Sequence, residues 1–425
     1  MIRHANILSI FLVLNWLLLW ISINTHPFEI SYFGESFLKS LNSLRLALPL
    51  LSSVLITAYV ISNLKKIKIE KIHLYFSIIF ISQLAGLYLN DERGFDINNI
   101  YLIVLSFGTI SLFVLVDHCG LTNFFKYFFA TLIFFLILAF ILSILPRLPD
   151  INNLNFYEAF NEKSSNILLQ VDIRITGLSR MLAAINLFMV LFFINLKNFY
   201  LKRCVEFFLL ISTILLLLMQ SRGTLICYFF SMSFIILILS DDTRNGKIKN
   251  ILLFVIIPVL LYFSINNYAN RNINKTENSQ RFNRIFSTDT SGRSQIFFYS
   301  LKNYNYKKIF GYGPNGDRFF LKDFDKKEYF GDNTSNIFLY TLVSGGVVSV
   351  FFLILVFYEI FIILKKFISN KIKNSFVVNL SIVYLIFFSI RSVFENSYGL
   401  FGVDFLITYA SLSCLSAKNK EYENI

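Results

Sequence analysis

Long apolar runs recur from one end of this chain to the other, and they constrain its fold more than any other feature. A helix that crosses a bilayer needs about 20 mostly apolar residues. Only 15% of the residues are charged, whereas a soluble domain is about one quarter charged, so lipid must cover much of the apolar surface. We therefore predict an all-α, polytopic membrane protein with about twelve transmembrane helices. The predicted spans are residues 5–23, 42–62, 72–89, 97–117, 123–145, 177–196, 204–219, 223–240, 249–265, 335–364, 376–391 and 398–416.

The positions of lysine and arginine predict how the chain is oriented. Cytoplasmic loops of membrane proteins carry an excess of these residues. If the N-terminus is inside, most cations of the short loops fall on the inner side, as in the segments 65–71, 197–203, 244–249 and 365–373. The short outer segments hold only Lys39, Arg45, Arg93, Arg222 and Arg391. The sequence therefore predicts that both ends face the cytoplasm.

Two outer segments are much longer than the others, residues 146–176 and residues 266–334. Long loops translocate whatever their charge, so their cations do not report orientation. The second loop joins helices nine and ten, and it is too long for an idle connection in a compact membrane protein. We predict that it is partly helical and folds over the membrane surface. No internal repeat interrupts the chain, and we predict a single membrane domain over residues 1–425.

The four cysteines and four histidines have no spacing that is typical of a metal site or a disulfide framework. We therefore expect no metal and no cofactor. The positions of the lysines and arginines fit a membrane topology, so the net charge of +13 does not indicate a nucleic acid partner. We therefore expect no nucleic acid as a partner.

Several arginines lie at outer helix ends or in the large loop: Arg174, Arg180, Arg222, Arg293 and Arg391. An arginine near lipid headgroups is costly unless something pairs with it, and its planar fork suits phosphate oxygens. Several arginines on one face would suit a diphosphate. The alternative is structural, because a single arginine at a helix end often reaches to the interface. Arg391 in particular is four residues from Glu395 and can pair with it.

Two further segments combine turn-forming and polar residues. Gly311 and Gly313 permit a tight turn whose N–H groups can form an anion nest, although an ordinary surface turn has the same sequence. Ser335 and Asn336 directly precede the tenth predicted helix. Such residues either cap the helix or face a cavity at its positive end.

Taken in order, these pieces resemble the superfamily of O-antigen polymerases and O-antigen ligases, over roughly residues 170–350. The ordered pieces are Arg174-x-x-Gly177, Ser221-Arg222-Gly223, Gly292-Arg293, Gly311-x-Gly313, Asn336 and Gly345-Gly346. The resemblance implies a metal-independent glycosyltransferase in the bacterial inner membrane. Its substrate would be an oligosaccharide linked to undecaprenyl diphosphate, which it would use on the periplasmic face. Its partners would be membrane lipid, a flippase and a chain-length regulator. Catalytic roles would fall to Arg222 and Arg293, and substrate binding to Arg174, Arg180, Arg391, Gly311, Gly313, Ser335 and Asn336.

One position separates the two activities of the superfamily. Ligases have a histidine directly before the asparagine that enters the late helix, where it is suited to activate an acceptor hydroxyl. This chain has Ser335 there, and its outer segments contain only His26. The resemblance therefore favours a polymerase over a ligase, with Asp289, Asp332 and Glu395 as candidate bases by location. A transporter of lipid-linked sugar is the alternative from another class, although the ionisable residues gather at the outer ends rather than along a path.

Overall fold

The computed structural model describes most of the chain, and every regular element in the described part is helical. The described residues are 2–22, 35–89, 97–119, 124–144, 175–219, 221–240, 242–272, 293–305, 308–322, 334, 336–369, 375–396 and 398–423. The predicted loop at residues 146–176 therefore lies outside the described residues except for its last two, which begin a helix.

The helices follow the predicted apolar runs along the chain. They are α1 Ile2–Ser22, α2 Glu35–Ser62, α3 Lys71–Tyr88, α4 Ile97–His118, α5 Phe124–Ile144, α6 Ile175–Asn195, α7 Phe199–Leu218, α8 Arg222–Phe234, α9 Arg244–Ile251, α10 Ile257–Asn272, α11 Arg293–Asn303, α12 Gly316–Phe320, α13 Ile337–Ser369, α14 Phe376–Phe394 and α15 Val403–Glu423. Single π-helical turns, Ile235–Leu239 and Leu252–Ile256, extend α8 and join α9 to α10. Two short helices, α11 and α12, lie in the predicted large loop.

Within these ranges, nine helical segments are long and apolar enough to cross a membrane. They are α2 to α6, α8 with its π-turn, α9 joined to α10, α13 and α14. The other three predicted spans also coincide with helices, namely α1, α7 and α15. Charged residues near the start of α7 and along the end of α15 lower their apolar character. The chain is thus a multi-pass helical membrane protein, while the count of twelve and the orientation stay predictions.

The chain forms two compact units. Unit 1 comprises Met1–Thr25, Ser43–Ala130 and Asp289–Ile425, and unit 2 comprises His26–Asn42 and Thr131–Thr288. The prediction of a single membrane domain is left open by this division. Arg293 and Arg391 belong to unit 1, whereas Arg180 and Arg222 belong to unit 2.

Unit 1 is organised around the packing of α3 against α13, and α13 is broken where they meet. Gly346 has φ of 71° and ψ of −170°, so two helical segments join at a kink. The Ser82 hydroxyl on α3 donates to the Gly345 carbonyl oxygen at 2.6 Å. On the other side of the break, the Ser349 hydroxyl donates to the Ile79 carbonyl oxygen at 3.2 Å. These two bonds between α3 and α13 hold both segments of α13 in place.

The Gly-x-Gly turn fills the gap that the break opens. The Tyr312 N–H donates to the Val343 carbonyl oxygen and the Gly313 N–H to the Ser344 carbonyl oxygen, both at 2.8 Å. These carbonyls would otherwise lack helical donors, because the break at Gly346 interrupts the ladder. The turn therefore completes the backbone hydrogen bonding of α13.

A methyl group at position 346 would disrupt this junction. A Cβ atom there would overlap the Ile309 carbonyl oxygen, and φ of 71° is unfavourable for any residue with a side chain. We expect Gly346→Ala to destabilise the protein by about 2–5 kcal/mol, from backbone strain and overpacking together. The measurement is the thermal midpoint of the detergent-solubilised protein. Gly402→Ala is the matched control, because a Cβ atom there has nothing within 4 Å; equal midpoints for the two variants would contradict the role of Gly346.

A buried polar network joins three helices at the other end of unit 1. His73 on α3 contacts the Tyr409 hydroxyl of α15 through Nδ1, and its Nε2 lies 2.8 Å from Asp117 Oδ2 of α4. The side chains of His73 and Asp117 are each only 1% exposed. The predicted topology puts this network at the cytoplasmic end, so His73 is not available to the predicted outer site.

Unit 2 contains α6 to α10. The Thr213 hydroxyl of α7 lies 3.0 Å from the Tyr228 hydroxyl of α8 in a fully buried position. The ring of Phe193 near the end of α6 packs edge-on against Phe254, with centroids 5.0 Å apart. These contacts pack α7 against α8, and α6 against the π-helical turn before α10.

Candidate functional site

Arg293 is the first residue of α11, and it binds the C-terminal end of α14. Its Nη1 donates to the Phe394 carbonyl oxygen and its Nη2 to Glu395 Oε1, each at 3.0 Å. A cation at a helix C-terminus is favoured by the helix dipole. The side chains of Arg293 and Glu395 are 39% and 21% exposed, so this pair lies at an accessible surface.

Asn336 binds the same end of α14 from another direction. Its Nδ2 donates to the Val393 carbonyl oxygen at 2.9 Å, while its Oδ1 accepts from the Phe338 N–H at 2.8 Å and the Leu339 N–H at 3.2 Å. Asn336 therefore caps α13, as one sequence interpretation predicted, and also ties α13 to α14. Its predicted contact with substrate stays a prediction, and Ser335 lies outside the described residues.

Arg391 has a different partner from the one that its spacing suggested. Its Nη1 donates to the Asp404 carboxylate of α15, and both side chains are only 4% exposed. The suggested pairing with Glu395 is wrong because α14 ends at Phe394. Glu395 adopts an extended conformation, with φ of −144° and ψ of 152°, so the i, i+4 geometry of a helix does not apply. The extended backbone instead places Glu395 against Arg293.

The two glycines predicted to bind substrate have structural roles in the described turn. Gly311 and Gly313 have φ of 67° and 84° and are buried. The Gly311 N–H donates to the Lys308 carbonyl oxygen at 3.0 Å, and the Gly313 N–H donates to α13 as described above. A Cβ atom at Gly313 would come within 2.8 Å of the Leu87 Cα atom. The N–H groups of these residues therefore bond to protein carbonyls in this structure, and substrate binding by the turn stays a prediction.

Asp317 is a buried acid that the sequence analysis did not single out. Its Oδ2 accepts from the Thr334 N–H at 3.0 Å, and its Oδ1 accepts from the Arg318 N–H at 3.0 Å. The side chain is buried, and this burial raises the pKa of the Asp317 carboxyl. Asp317 thus fixes the chain where it enters α13. No spacing in the sequence signalled this role, because Thr334 is far away along the chain.

Arg45 is a second residue whose position was not anticipated. It was counted only as a cation of an outer segment, but its side chain is 4% exposed on α2. It interacts electrostatically with Tyr101 of α4. The only sequence signal was its place at the start of an apolar run.

Unit 2 brings two of the predicted arginines to adjoining helix ends. Arg222 is the first residue of α8, and Arg180 lies in the second turn of α6. The Thr224 hydroxyl oxygen accepts from Ser221 Oγ at 3.0 Å and lies 3.5 Å from Ser179 Oγ. Because these hydroxyl contacts join the starts of α6 and α8, they set the positions of both arginines. Arg174 lies outside the described residues, as do the candidate bases Asp289 and Asp332.

The described residues therefore define a multi-pass, all-helical membrane protein with arginines at the ends of packed helices. Over these same residues, no group of three or more His, Cys, Asp or Glu side chains converges as metal ligands would. The O-antigen ligase family model, Wzy_C, matches residues 207–355, which is less than half of the chain. The resemblance to O-antigen polymerases and ligases is thereby confirmed for a stretch that includes Arg222, Arg293 and the Gly-x-Gly turn. No curated protein and no solved structure matches the chain.

Proposed function

We propose that this protein is an O-antigen polymerase of the bacterial inner membrane. It joins oligosaccharide repeat units that are linked to undecaprenyl diphosphate, on the periplasmic face. The family match supports a polymerase or ligase type of function in general, and the apolar helices support a multi-pass membrane location. A flippase that delivers the units and a regulator of chain length are the expected partners.

The reaction transfers a saccharide from one carrier to a second chain. A hydroxyl of the acceptor sugar attacks the anomeric carbon of the donor, and the bond from that carbon to the diphosphate oxygen breaks. Negative charge develops on the leaving diphosphate. Arginine forks aimed at these oxygens stabilise the transition state without a metal, because their charge is fixed and their two donors match the phosphate geometry.

Arg293 is suited to this role in unit 1. Its guanidinium is accessible, and the main-chain oxygen of Phe394 holds one of its donors in place. The second donor of Arg293 bonds to the Glu395 carboxylate, and a phosphate oxygen can take the place of that carboxylate as the acceptor. Glu395 would then lose its partner, which makes it a candidate to accept the proton of the acceptor hydroxyl. In unit 2 we propose that Arg222 stabilises negative charge on a diphosphate. Arg180, on the neighbouring helix end, is proposed to help bind it.

The observation that carries the polymerase assignment is Ser335. A ligase-type mechanism requires a base directly before Asn336, and a serine hydroxyl is hardly acidic or basic enough at neutral pH. His73 does not replace it, because it is buried against Asp117 and Tyr409 at the predicted cytoplasmic end. The ligase stays the second candidate, because the matching family model carries that description.

Deletion of the gene separates the candidates through the lipopolysaccharide ladder of the host strain. Without a polymerase, we expect core capped with a single repeat unit, because ligation continues. Without a ligase, the strain would show bare core and accumulate carrier-linked polymer. Without a transporter, it would show bare core and no polymer.

Re-expression of the protein from a plasmid is the control, and it should restore the full ladder. Bare core in the deletion strain would overturn the polymerase assignment. The presence or absence of accumulated polymer would then separate the ligase from the transporter.

Substitution of the residue before Asn336 tests the same assignment at one position. We expect Ser335→Ala to retain most polymerisation and to cost at most about 1 kcal/mol, the usual value of a lost helix cap. Asn336→Ala should be more harmful, because it removes the cap of α13 and the bond to Val393 together. The measurement is ladder length at equal protein level. Loss of activity in a well-folded Ser335→Ala protein would indicate a serine-dependent mechanism instead.

A further inference from the structure

A charged cavity lies in unit 2, at the opposite ends of the helices from Arg180 and Arg222. Its volume is about 300 Å³, and it is lined by the end of α6, the start of α7 and the segment that contains α9. Its lining includes Phe193, Phe199, Lys202, Arg203, Asp242 and Lys249. On α6, Arg180 and Phe193 are thirteen residues apart in sequence, or about 20 Å along the axis. The cavity is therefore separate from the proposed outer site.

The carboxylates of this cavity already have partners. Glu206 Oε2 accepts from Arg203 Nη1 at 2.7 Å, and Asp242 Oδ2 accepts from Asn250 Nδ2 at 2.9 Å. Lys202 and Lys249 add two more cations to the lining. With Arg203 paired to Glu206, the lining keeps Lys202 and Lys249 against Asp242. The resulting net charge of the lining is positive, so the cavity favours an anion.

Aromatic groups fix one of the lysines and give the cavity an apolar side. Lys202 Nζ lies 4.6 Å from the centroid of the Phe193 ring, within the range of a cation–π contact. The Arg203 guanidinium lies 5.3 Å from the ring centroid of Phe199. Leu253 adds a further apolar surface. A ligand with a charged head and an apolar body matches this mixed lining better than a free ion does.

The predicted topology puts these helix ends at the cytoplasmic face. The cations of the segments 197–203 and 244–249 are among those that predicted this orientation. The cavity then lies at the depth of the lipid headgroups of the inner leaflet. Basic pockets between transmembrane helices on this side of a membrane bind phosphate-bearing headgroups.

We propose that this cavity binds the phosphate of an anionic phospholipid from the cytoplasmic leaflet. Lys202 and Lys249 contact the phosphate, and Phe193, Phe199 and Leu253 contact the start of the acyl region. The site is a lipid-binding site and takes no part in glycosyl transfer.

Lipid titration of the purified full-length protein tests the proposal. The probes are mixed micelles of phosphatidylglycerol, mixed micelles of phosphatidylcholine, and inorganic phosphate, with the thermal midpoint and native mass spectrometry as readouts. We expect phosphatidylglycerol to raise the midpoint and to remain bound, while the other two probes do neither. The Lys202→Ala/Lys249→Ala variant should bind phosphatidylglycerol about thirtyfold more weakly.

The Lys65→Ala/Lys66→Ala variant is the matched control, since it removes two exposed cations of the same predicted face that do not line the cavity. It should bind like the unmodified protein. Equal weakening in both variants would show general charge attraction and overturn the site. Binding of inorganic phosphate with the same loss in the Lys202 and Lys249 variant would replace the lipid with free phosphate. An unchanged elution volume on size exclusion verifies that the variants are folded.

Discussion

Arg391→Ala is expected to abolish most of the folded protein. The substitution leaves the Asp404 carboxylate buried, with both side chains of the pair only 4% exposed in the native structure. Removing one partner of a buried ion pair costs about 3–5 kcal/mol, because the remaining charge is uncompensated. An ordinary domain has a free energy of unfolding of only about 5–15 kcal/mol, so this loss is a large fraction of the total. The measurement is the yield and thermal midpoint of protein extracted from membranes.

A double variant separates stability from substrate binding at this position. Arg391→Met/Asp404→Leu replaces both charges by apolar groups, a change that is often neutral or stabilising at buried pairs. We expect it to restore the yield that Arg391→Ala loses. If Arg391→Ala is instead as stable as the unmodified protein but inactive, the arginine binds substrate, as its position at an outer helix end first suggested.

Arg293→Ala is expected to remove activity and leave the fold intact. An exposed ion pair contributes only about 0–1 kcal/mol to stability, and Arg293 is 39% exposed. A charge-assisted bond to phosphate is worth about 1.5–3 kcal/mol, which is about ten- to a hundredfold in rate when it acts in the transition state. The measurement is polymer formation at native expression level. Arg293→Lys should rescue only part of this rate, because lysine lacks the planar fork.

Lys302→Ala is the matched control for this experiment, because it removes an exposed cation from the last turn of the same helix, α11. It should give a normal ladder. Arg222→Ala in unit 2 is expected to reduce polymer by a similar factor. Full-length ladders from both arginine variants would refute the assignment of Arg222 and Arg293.

The sequence by itself determined where the helices form. An apolar run of about 20 residues has one stable solution in lipid, a helix that satisfies its own backbone, so local composition is sufficient. Each predicted span accordingly coincides with a helix, including α1, α7 and α15. The order of Arg222, Arg293 and Gly311-x-Gly313 was likewise sufficient for the family resemblance, because family patterns are read along the chain.

Only the tertiary structure decided which partner each polar group takes. Spacing suggested that Arg391 pairs with Glu395, but the end of α14 at Phe394 turns Glu395 to Arg293 and leaves Asp404 for Arg391. The glycines of the turn were compatible with an anion nest, yet their N–H groups satisfy carbonyls that a break in α13 exposes. A buried polar group must be paired, but the partner is whichever group packing brings close, and that group is often far away in sequence.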